Sequence, residues 1–190
     1  MLNALPSWRA ALTARNLCQG DIIAYPTEGV WGLGCLPELE QSVAHILHIK
    51  RRRWDMGLIL VASKFEHVEH YLAGVGDEAR SHLEKVWPSA VTYLIPDNGV
   101  APMWIKGRHH RVALRLSAHP VVRSICDHLG GPIVSTSANP TGREAAKNAL
   151  RVRQYFGNDV DQIVAGPLGG ETGASEIRDL MSGDILRQGA

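Results

Sequence analysis

The sequence predicts a single α/β domain in which strands and helices alternate along the chain. A length of 190 residues fits one hydrophobic core, since single cores commonly serve about 100–200 residues. Short apolar runs typical of buried strands alternate with segments whose apolar residues recur at helical spacing, which is the pattern of α/β proteins. With 45% hydrophobic and 21% charged residues, the composition is that of a globular protein and excludes the disordered and fibrous classes.

The first third of the chain contains two predicted helices and two predicted strands. Apolar residues at helical spacing predict a helix over residues 7–17, which Gly20 ends, and another over residues 38–51. Continuous apolar runs predict buried strands over residues 21–25 and 58–62.

The same two patterns continue to the end of the chain. Runs rich in β-branched residues predict strands over residues 91–95, 112–116, 133–136 and 162–165, with weaker strands near Ile177 and Ile185. Helical spacing predicts helices over residues 64–72, 77–86, 120–129 and 145–156. This interleaving supports the α/β class.

Charge and apolar runs limit the classes of function. Twenty Lys and Arg residues against 19 Asp and Glu residues leave a net charge of +1, which excludes the strong field of a chromatin-like protein. No apolar run approaches the ~18–20 residues of a membrane span, and the first residues lack a signal peptide. We therefore expect a cytoplasmic protein without membrane contact. Cys18, Cys35 and Cys126 fit neither a disulfide framework nor a zinc pattern, and are predicted to be buried thiols.

Common nucleotide and metal motifs are absent. The glycines of residues 29–34 have the spacing G-x-x-G-x-G, whereas the dinucleotide-binding motif is G-x-G-x-x-G. No P-loop sequence is present either. Two histidine pairs could each share a helical face, at residues 45 and 48 and at residues 67 and 70, but no carboxylate or cysteine completes either pair. We therefore predict no protein-bound metal.

A basic run follows the second predicted helix and consists of Lys50, Arg51, Arg52 and Arg53. Arginine offers a bidentate fork to phosphate oxygens and lysine a compact charge, so such a cluster suits a polyphosphate or a nucleic-acid backbone. The same residues could equally be a solvated helix end favoured by the helix dipole. Spacing alone leaves both interpretations open.

Polar side chains follow two of the predicted strands. Thr27 follows the first strand, and Ser135, Ser137 and Asn139 stand at the carboxyl end of the strand that begins at Ile133. Because open α/β sheets bind ligands at the carboxyl ends of their strands, these groups are candidates for binding phosphate or carboxylate oxygens. An ordinary turn rich in Ser and Asn is the alternative.

Arg115 lies within a predicted strand. Val112, Leu114 and Leu116 share one face of that strand, so Arg115 points to the other face. An arginine among small and apolar neighbours needs an anionic partner, which could be a buried carboxylate of the protein or the carboxylate of a substrate. Further cations are a second basic stretch and one residue near the end of the chain, namely Lys106, Arg108, His109, His110, Arg111 and Arg187.

Taken in order, these segments resemble the YrdC family over almost the full chain, and in particular its single-domain bacterial members. The resemblance is carried first by Ala-Tyr-Pro-Thr-Glu (24–28), Gly-Leu-Gly (32–34), Lys-x-Arg (50–52) and Gly-Leu-Ile-Leu (57–60). It continues with Trp-Pro (87–88), Val-Ala-Leu-Arg (112–115), Ser-Thr-Ser-Ala-Asn (135–139), Ser-Glu-Ile-Arg-Asp (175–179) and Leu-Arg-x-Gly (186–189).

The resemblance implies a twisted, open, mixed sheet with flanking helices around a positively charged concave cavity. It implies one domain over residues 7–190 and a short extension over residues 1–6. It also implies a nucleotidyltransferase that condenses L-threonine, bicarbonate and ATP into threonylcarbamoyl-adenylate and pyrophosphate, with Mg²⁺ carried by the ATP. The functional partner is then the threonylcarbamoyl transferase complex (TsaB, TsaD and TsaE). That complex modifies the adenosine 3′ of the anticodon in tRNAs that read codons beginning with A.

The resemblance also implies roles for eight residues. Lys50 and Arg52 match catalytic positions. ATP binding is expected from Lys50, Arg52, Ser137, Asn139 and Arg187. L-Threonine binding is expected from Thr27, Arg115 and Ser135, with Arg115 facing the carboxylate.

Two positions depart from the family pattern, and one alternative function stays open. The family often has proline after the second cation of Lys-x-Arg and a polar or basic residue shortly after it, where this chain has Arg53 and Met56. The alternative function is a binding module for tRNA or double-stranded RNA without catalysis, because the same cations could track phosphates. Direct contact with tRNA is not decided by the sequence.

Overall fold

The computed structural model describes residues 4–189 and shows a nine-stranded sheet with helices packed against it. The strands are β1 (Ile23–Pro26), β2 (Trp31–Gly34), β3 (Ile59–Ala62), β4 (Val91–Pro96), β5 (Arg111–Leu116), β6 (Ile133–Ser137), β7 (Gln162–Ile163), β8 (Glu176–Asp179) and β9 (Ile185–Arg187). The α-helices are α1 (Ser7–Cys18), α2 (Glu40–Ile49), α3 (Glu69–Leu72), α4 (Asp77–Val86), α5 (Met103–Lys106), α6 (Pro120–Leu129) and α7 (Ala149–Phe156).

The sheet is mixed, as predicted. Its strand order is β7-β1-β2-β6-β3-β5-β4-β8-β9. The pairs β1/β7, β3/β5 and β4/β8 are parallel, and the other neighbours are antiparallel. The single α/β domain with a mixed sheet and flanking helices is therefore confirmed.

Hydrophobic clusters cover both faces of the sheet. On one face, Leu17 of α1 and Ile125 of α6 pack against Tyr25, Val61 and Ile133. On the other face, α2, α4 and α7 contribute buried side chains that pack against residues such as Leu60, Leu114 and Val134. Because β1 is covered on both faces, with Ala24 in one cluster and Tyr25 in the other, its sequence is a continuous apolar run and not an alternating one.

Helix α6 occupies residues 120–129, as the sequence predicts, and its ends explain why. Pro120 stands in the first turn, where its missing N–H costs nothing. The side chain of His119 accepts a hydrogen bond from the Val121 N–H at 3.3 Å. Gly130 ends the helix in the left-handed region, with φ 69°.

The apolar pattern of the sequence predicts no strand over residues 31–34, where β2 lies, because two of these four residues are glycine. Gly32 and Gly34 pair with Tyr25 and Ile23 of β1. A Cβ atom at Gly34 would lie 2.6 Å from the Val134 carbonyl oxygen and 2.9 Å from the Tyr25 ring. The glycines therefore make room for a fully buried tyrosine, which is a reason for glycine in a strand that periodicity does not reveal.

Other boundaries also differ from the sequence predictions. The helix predicted over residues 64–72 is wrong, since a 3-10 turn (Phe65–His67) and the single turn α3 replace it. Between them, the fully buried Val68 leaves helical geometry, with φ −123° and ψ 5°. Helix α7 starts late because the backbone of Ala146 bonds to Trp31 and Ala138 instead. Cys18 is exposed, so the prediction of three buried thiols is correct only for Cys35 and Cys126.

The predicted extension over residues 1–6 falls partly outside the described residues, which begin at residue 4. Ala190 at the other end of the predicted domain lies outside them too. Leu5 packs against the cluster beneath α1 and α6, and its N–H donates to Ser124 Oγ at 3.2 Å. Within residues 4–189, none of the helices has the length and apolar character needed to cross a bilayer.

We expect Gly34→Ala to lower the free energy of unfolding by about 1–3 kcal/mol, because the new methyl group would overlap the Val134 carbonyl and the Tyr25 ring. Urea denaturation measures the change. Gly131→Ala is the matched control, since a Cβ atom there meets nothing within 4 Å. Equal stability of the two variants would contradict the steric role of Gly34.

Candidate functional site

A cavity of about 520 Å³ opens on the sheet face that packs α1 and α6. Ile59, Ala113, Arg115 and Ser135 line the cavity. They alternate along their strands with core residues of the opposite face such as Leu114, as the two-residue period of a strand requires. The prediction that Arg115 points away from Val112, Leu114 and Leu116 is therefore confirmed.

The structure brings six of the eight predicted site residues into the lining of this cavity. They are Thr27, Arg52, Arg115, Ser135, Ser137 and Arg187. Lys50 and Asn139 are not among the lining residues. The six come from positions as far apart as residues 27 and 187, so the sheet order is what assembles them.

One end of the cavity is built by the turn after β1 and by β6. Thr27 is buried, and its hydroxyl donates to the Val30 carbonyl oxygen at 2.7 Å, which closes the turn between β1 and β2. Ser135 is also buried and pairs with Ile59 across β6 and β3. The hydroxyl groups of Thr27 and Ser135 therefore belong to rigid elements of the sheet.

Arg115 has a protein partner that sequence reasoning did not identify. Its side chain is 7% exposed, and its Nη1 lies 3.2 Å from Oε2 of Glu28. Its Nε is buried without a hydrogen-bond partner in the described residues. The ion pair gives the buried cation an anionic partner. The Nε end of the guanidinium remains unpaired. The sequence placed Glu28 at a strand end, but nothing in its spacing pointed to Arg115.

Arg52, Ser137 and Arg187 line another part of the cavity. Arg52 donates to the Gly57 carbonyl oxygen at 2.9 Å, while its Nε is buried without a partner in the described residues. Burial lowers the pKa of Arg52. Partial desolvation and the nearby charges of Arg115 and Arg52 lower the pKa of Arg187. The charges of Arg52 and Arg115 thus lie close enough to act on Arg187.

Lys50 lies just behind this part of the lining. Its side chain donates to the carbonyl oxygen of Ser137 and, at 2.7 Å, to that of Asn139. Between Lys50 and Arg52, Arg51 adopts the left-handed conformation with φ 51°, which ends α2 and turns the chain toward the cavity. Burial, and then the charge of Arg52, lowers the pKa of Lys50 to about 7.

Asn139 binds its own loop in this structure. Its Nδ2 donates to the carbonyl oxygens of Pro140 at 3.1 Å and Arg143 at 2.6 Å. Its Oδ1 is buried without a partner in the part of the chain that the structure describes. Thr141 completes the loop by donating to the Lys50 carbonyl oxygen through its N–H at 2.8 Å and its hydroxyl at 3.0 Å.

The second basic stretch borders the cavity on the side of α5 and β5. All five of its members line the cavity, namely Lys106, Arg108, His109, His110 and Arg111. Three of them have acidic partners: Lys106 pairs with Asp97, Arg108 lies 3.6 Å from Asp55, and Arg111 lies 2.8 Å from Asp179. These partners hold the stretch in place at the rim.

Of the two positions that depart from the family pattern, Met56 lines the cavity and Arg53 does not. Met56 is 54% exposed and lines the cavity. Arg53 does not line it, and pairs instead with Asp55 at 2.6 Å. Arg53 therefore adds no contact inside the cavity.

The chemistry of the lining favours an anionic ligand. Within residues 4–189, the lining contains six Lys and Arg residues and no Asp or Glu. Two of the arginines carry the buried Nε atoms described above, which can still donate hydrogen bonds. Across the same residues, no group of three His, Cys, Asp or Glu side chains is placed to hold a metal ion.

Comparison with known proteins finds one family and its members over nearly the whole chain. The sequence profile of the Sua5/YciO/YrdC family, described as telomere recombination, matches residues 15–189. A threonylcarbamoyl-AMP synthase of Cellvibrio japonicus is 45% identical over 179 residues, which are 94% of this chain and 95% of that protein. The synthase of Nitrosococcus oceani is 45% identical over 184 residues, 97% of this chain and 100% of that protein.

Solved structures agree with these sequence matches. The crystal structure of P. abyssi Sua5 complexed with L-threonine superposes with a TM-score of 0.90 at 29% identity, over 98% of this chain. This chain spans little more than half of that protein, 56% of its length. E. coli YciO has the same fold, with a TM-score of 0.82 at 19% identity over 97% of this chain and 91% of that one. With the family profile matched from residue 15 to residue 189, the chain belongs to the Sua5/YciO/YrdC family.

Proposed function

We propose that this protein is a threonylcarbamoyl-AMP synthase, which condenses L-threonine, bicarbonate and ATP into threonylcarbamoyl-adenylate and pyrophosphate. The observation that carries the proposal is the 45% identity, over almost the full length of both chains, to proteins of that name. The cation-rich cavity supports it, because ATP brings about four negative charges that need converging cations.

The amino acid is proposed to bind at Thr27, Arg115 and Ser135. An α-carboxylate suits the unpaired part of the buried Arg115 guanidinium, whose Nε still needs an acceptor. The hydroxyl groups of Thr27 and Ser135 line the same cavity and can bond to the polar groups of threonine. The L-threonine complex of P. abyssi Sua5 supports this class of ligand.

The nucleotide is proposed to bind at Arg52, Ser137 and Arg187, with Lys50 and Asn139 behind them. The unpaired Nε of Arg52 and the repulsion of Arg187 by Arg52 and Arg115 both favour binding of a polyanion. We propose that these cations give the cavity the positive charge that the family resemblance implies. Mg²⁺ is proposed to arrive with ATP, whose phosphate oxygens are hard ligands of the kind it prefers.

The proposed reaction has two steps. The amine of threonine attacks carbon dioxide and loses a proton, or attacks bicarbonate with release of water, and a carbamate forms. A carbamate oxygen then attacks the α-phosphorus of ATP, and the bond to the bridging oxygen of pyrophosphate breaks. Because this displacement redistributes charge over phosphate oxygens, the protein contributes mainly positioning and fixed positive charge. Lys50 and Arg52 are proposed to stabilise that charge as pyrophosphate leaves.

The product is a mixed anhydride and needs an acceptor. We propose that the threonylcarbamoyl transferase complex (TsaB, TsaD and TsaE) takes it up. In that complex the group is passed to the adenosine 3′ of the anticodon in tRNAs that read codons beginning with A. The relatives' shared name supports this assignment only as far as the adenylate.

Pyrophosphate release by the purified protein tests the function directly. With ATP, Mg²⁺ and bicarbonate present, we expect release with L-threonine and far less with L-serine or without an amino acid. Mass spectrometry should show threonylcarbamoyl-adenylate among the products. A folded protein that releases no pyrophosphate under any condition, yet binds RNA in a salt-dependent manner, would contradict the proposal and favour the RNA-binding alternative.

Replacing either proposed phosphate-binding cation should slow the reaction sharply. We expect Lys50→Ala and Arg52→Ala each to lower the rate of adenylate formation by about 100-fold or more, because each removes charge stabilisation from the phosphoryl transfer. Arg153→Ala is the control, since Arg153 is an exposed residue of α7 outside the cavity. Thermal melting checks that the variants are folded, and near-normal turnover in both would remove these residues from the catalytic set.

Buried Lys50 also predicts a pH dependence of stability without ligands. Its pKa is about 7 in the folded protein against an ordinary value of 10.5. Between these values the unfolded chain holds one more proton, so the contribution of Lys50 to stability rises with pH over that window. We expect the free energy of unfolding of the wild type, relative to Lys50→Met, to increase by up to about 1.4 kcal/mol per pH unit. Parallel curves for the two proteins from pH 7 to pH 10 would contradict this.

A further inference from the structure

Glu28 is a buried carboxylate to which neither the family resemblance nor the proposed reaction gives a role. It follows Thr27 directly, and its side chain is 14% exposed. Its carbonyl oxygen accepts the Glu171 N–H at 3.0 Å. A Cβ atom at Gly169 would lie 2.9 Å from the Glu28 Cα. The backbone of Glu28, in the β1–β2 turn, therefore packs against the segment before β8.

The carboxylate of Glu28 is held from two sides. Its Oε1 accepts a hydrogen bond from the hydroxyl of Ser117, at 2.5 Å. Ser117 is itself fully buried, its N–H donates to the Ala62 carbonyl oxygen at 2.9 Å, and its Oγ accepts the His119 N–H at 3.1 Å. This leaves Oε2 to face Arg115, 3.2 Å from its Nη1, in an ion pair that has no hydrogen-bond geometry within the described residues. Ser117 thus fixes the orientation in which Glu28 meets the guanidinium.

Glu28 in turn fixes the orientation of Arg115. Within the described residues, Arg115 has no other salt bridge, and its Nε has no hydrogen-bond partner. Glu28 is not among the residues that line the cavity, whereas Arg115 is. Because a guanidinium is planar and its five donors point in fixed directions, an ion pair between Nη1 and a residue outside the lining limits which N–H groups can face the cavity.

We infer that Glu28 is a positioning residue for the amino-acid substrate, acting through Arg115. Its role is to present the free edge of the guanidinium to the substrate carboxylate, with Ser117 as its anchor. Without that support, a buried arginine would turn to find other acceptors, since an unpaired buried charge is costly. The inference rests on the proposed function, because it takes the ligand of Arg115 to be the carboxylate of L-threonine.

The pyrophosphate-release assay tests the inference, because it measures the KM for L-threonine and the KM for ATP separately. We expect Glu28→Gln, which keeps the shape but removes the charge, to raise the KM for L-threonine by about tenfold or more and to change the KM for ATP by less than about twofold. Ser117→Ala keeps the carboxylate and removes its anchor, so a smaller rise in the KM for L-threonine is expected. Glu69→Gln is the matched control, because Glu69 pairs with Arg80 at 2.7 Å away from the cavity.

Calorimetry of L-threonine binding tests whether Glu28 acts through Arg115. In the Arg115→Ala background, Glu28→Gln should cause no further loss of affinity, because Glu28 acts through Arg115. The inference is overturned if Glu28→Gln and Ser117→Ala leave the KM for L-threonine unchanged, or if the constants for both substrates rise in parallel. Failure of the proposed function is a different result, seen as a wild type that releases no pyrophosphate with L-threonine.

Discussion

The rest of this structure depends on keeping several positive charges out of water without fully pairing them. Lys50 is 3% exposed and Arg115 is 6% exposed, and an isolated buried cation costs several kcal/mol. Oxygen atoms from segments distant in the sequence offset this cost by contacting the two cations. The carbonyl oxygens of Ser137 and Asn139 accept hydrogen bonds from Lys50, and the carboxylate of Glu28 forms an ion pair with Arg115.

The order of the strands makes this possible. Strand β6 lies between β2 and β3, so residues 135–137 sit beside the turn that carries Thr27 and Glu28. The parallel pair β3/β5 brings Arg115 next to Val61. The end of the chain returns along β4 as β8 and β9, which brings Arg187 to the same cavity. A cavity lined from so many segments is possible because α1 and α6 leave part of this sheet face open.

The guanidinium groups that line the cavity are the cationic part of the site. The two buried Nε atoms belong to arginines in different regions of one cavity. Under the proposed function, an amino-acid carboxylate binds at Arg115 and a polyphosphate at Arg52. Fixed donors of this kind need no rearrangement during the reaction, which is the main source of electrostatic catalysis.

Local patterns in the sequence determined the class of the fold, most of its helices and strands, and the face on which Arg115 lies. The ordered motifs also identified six residues that do line one cavity. Local patterns did not predict β2, because its glycines serve the packing of Tyr25 from another strand. The motifs placed Lys50 and Asn139 with the other ATP-binding residues, whereas both lie outside the lining of the cavity, and local patterns gave no partner to Arg115. Only the tertiary structure decided these points, because each depends on contacts between residues far apart in the chain, and such contacts leave no periodic signal in the sequence.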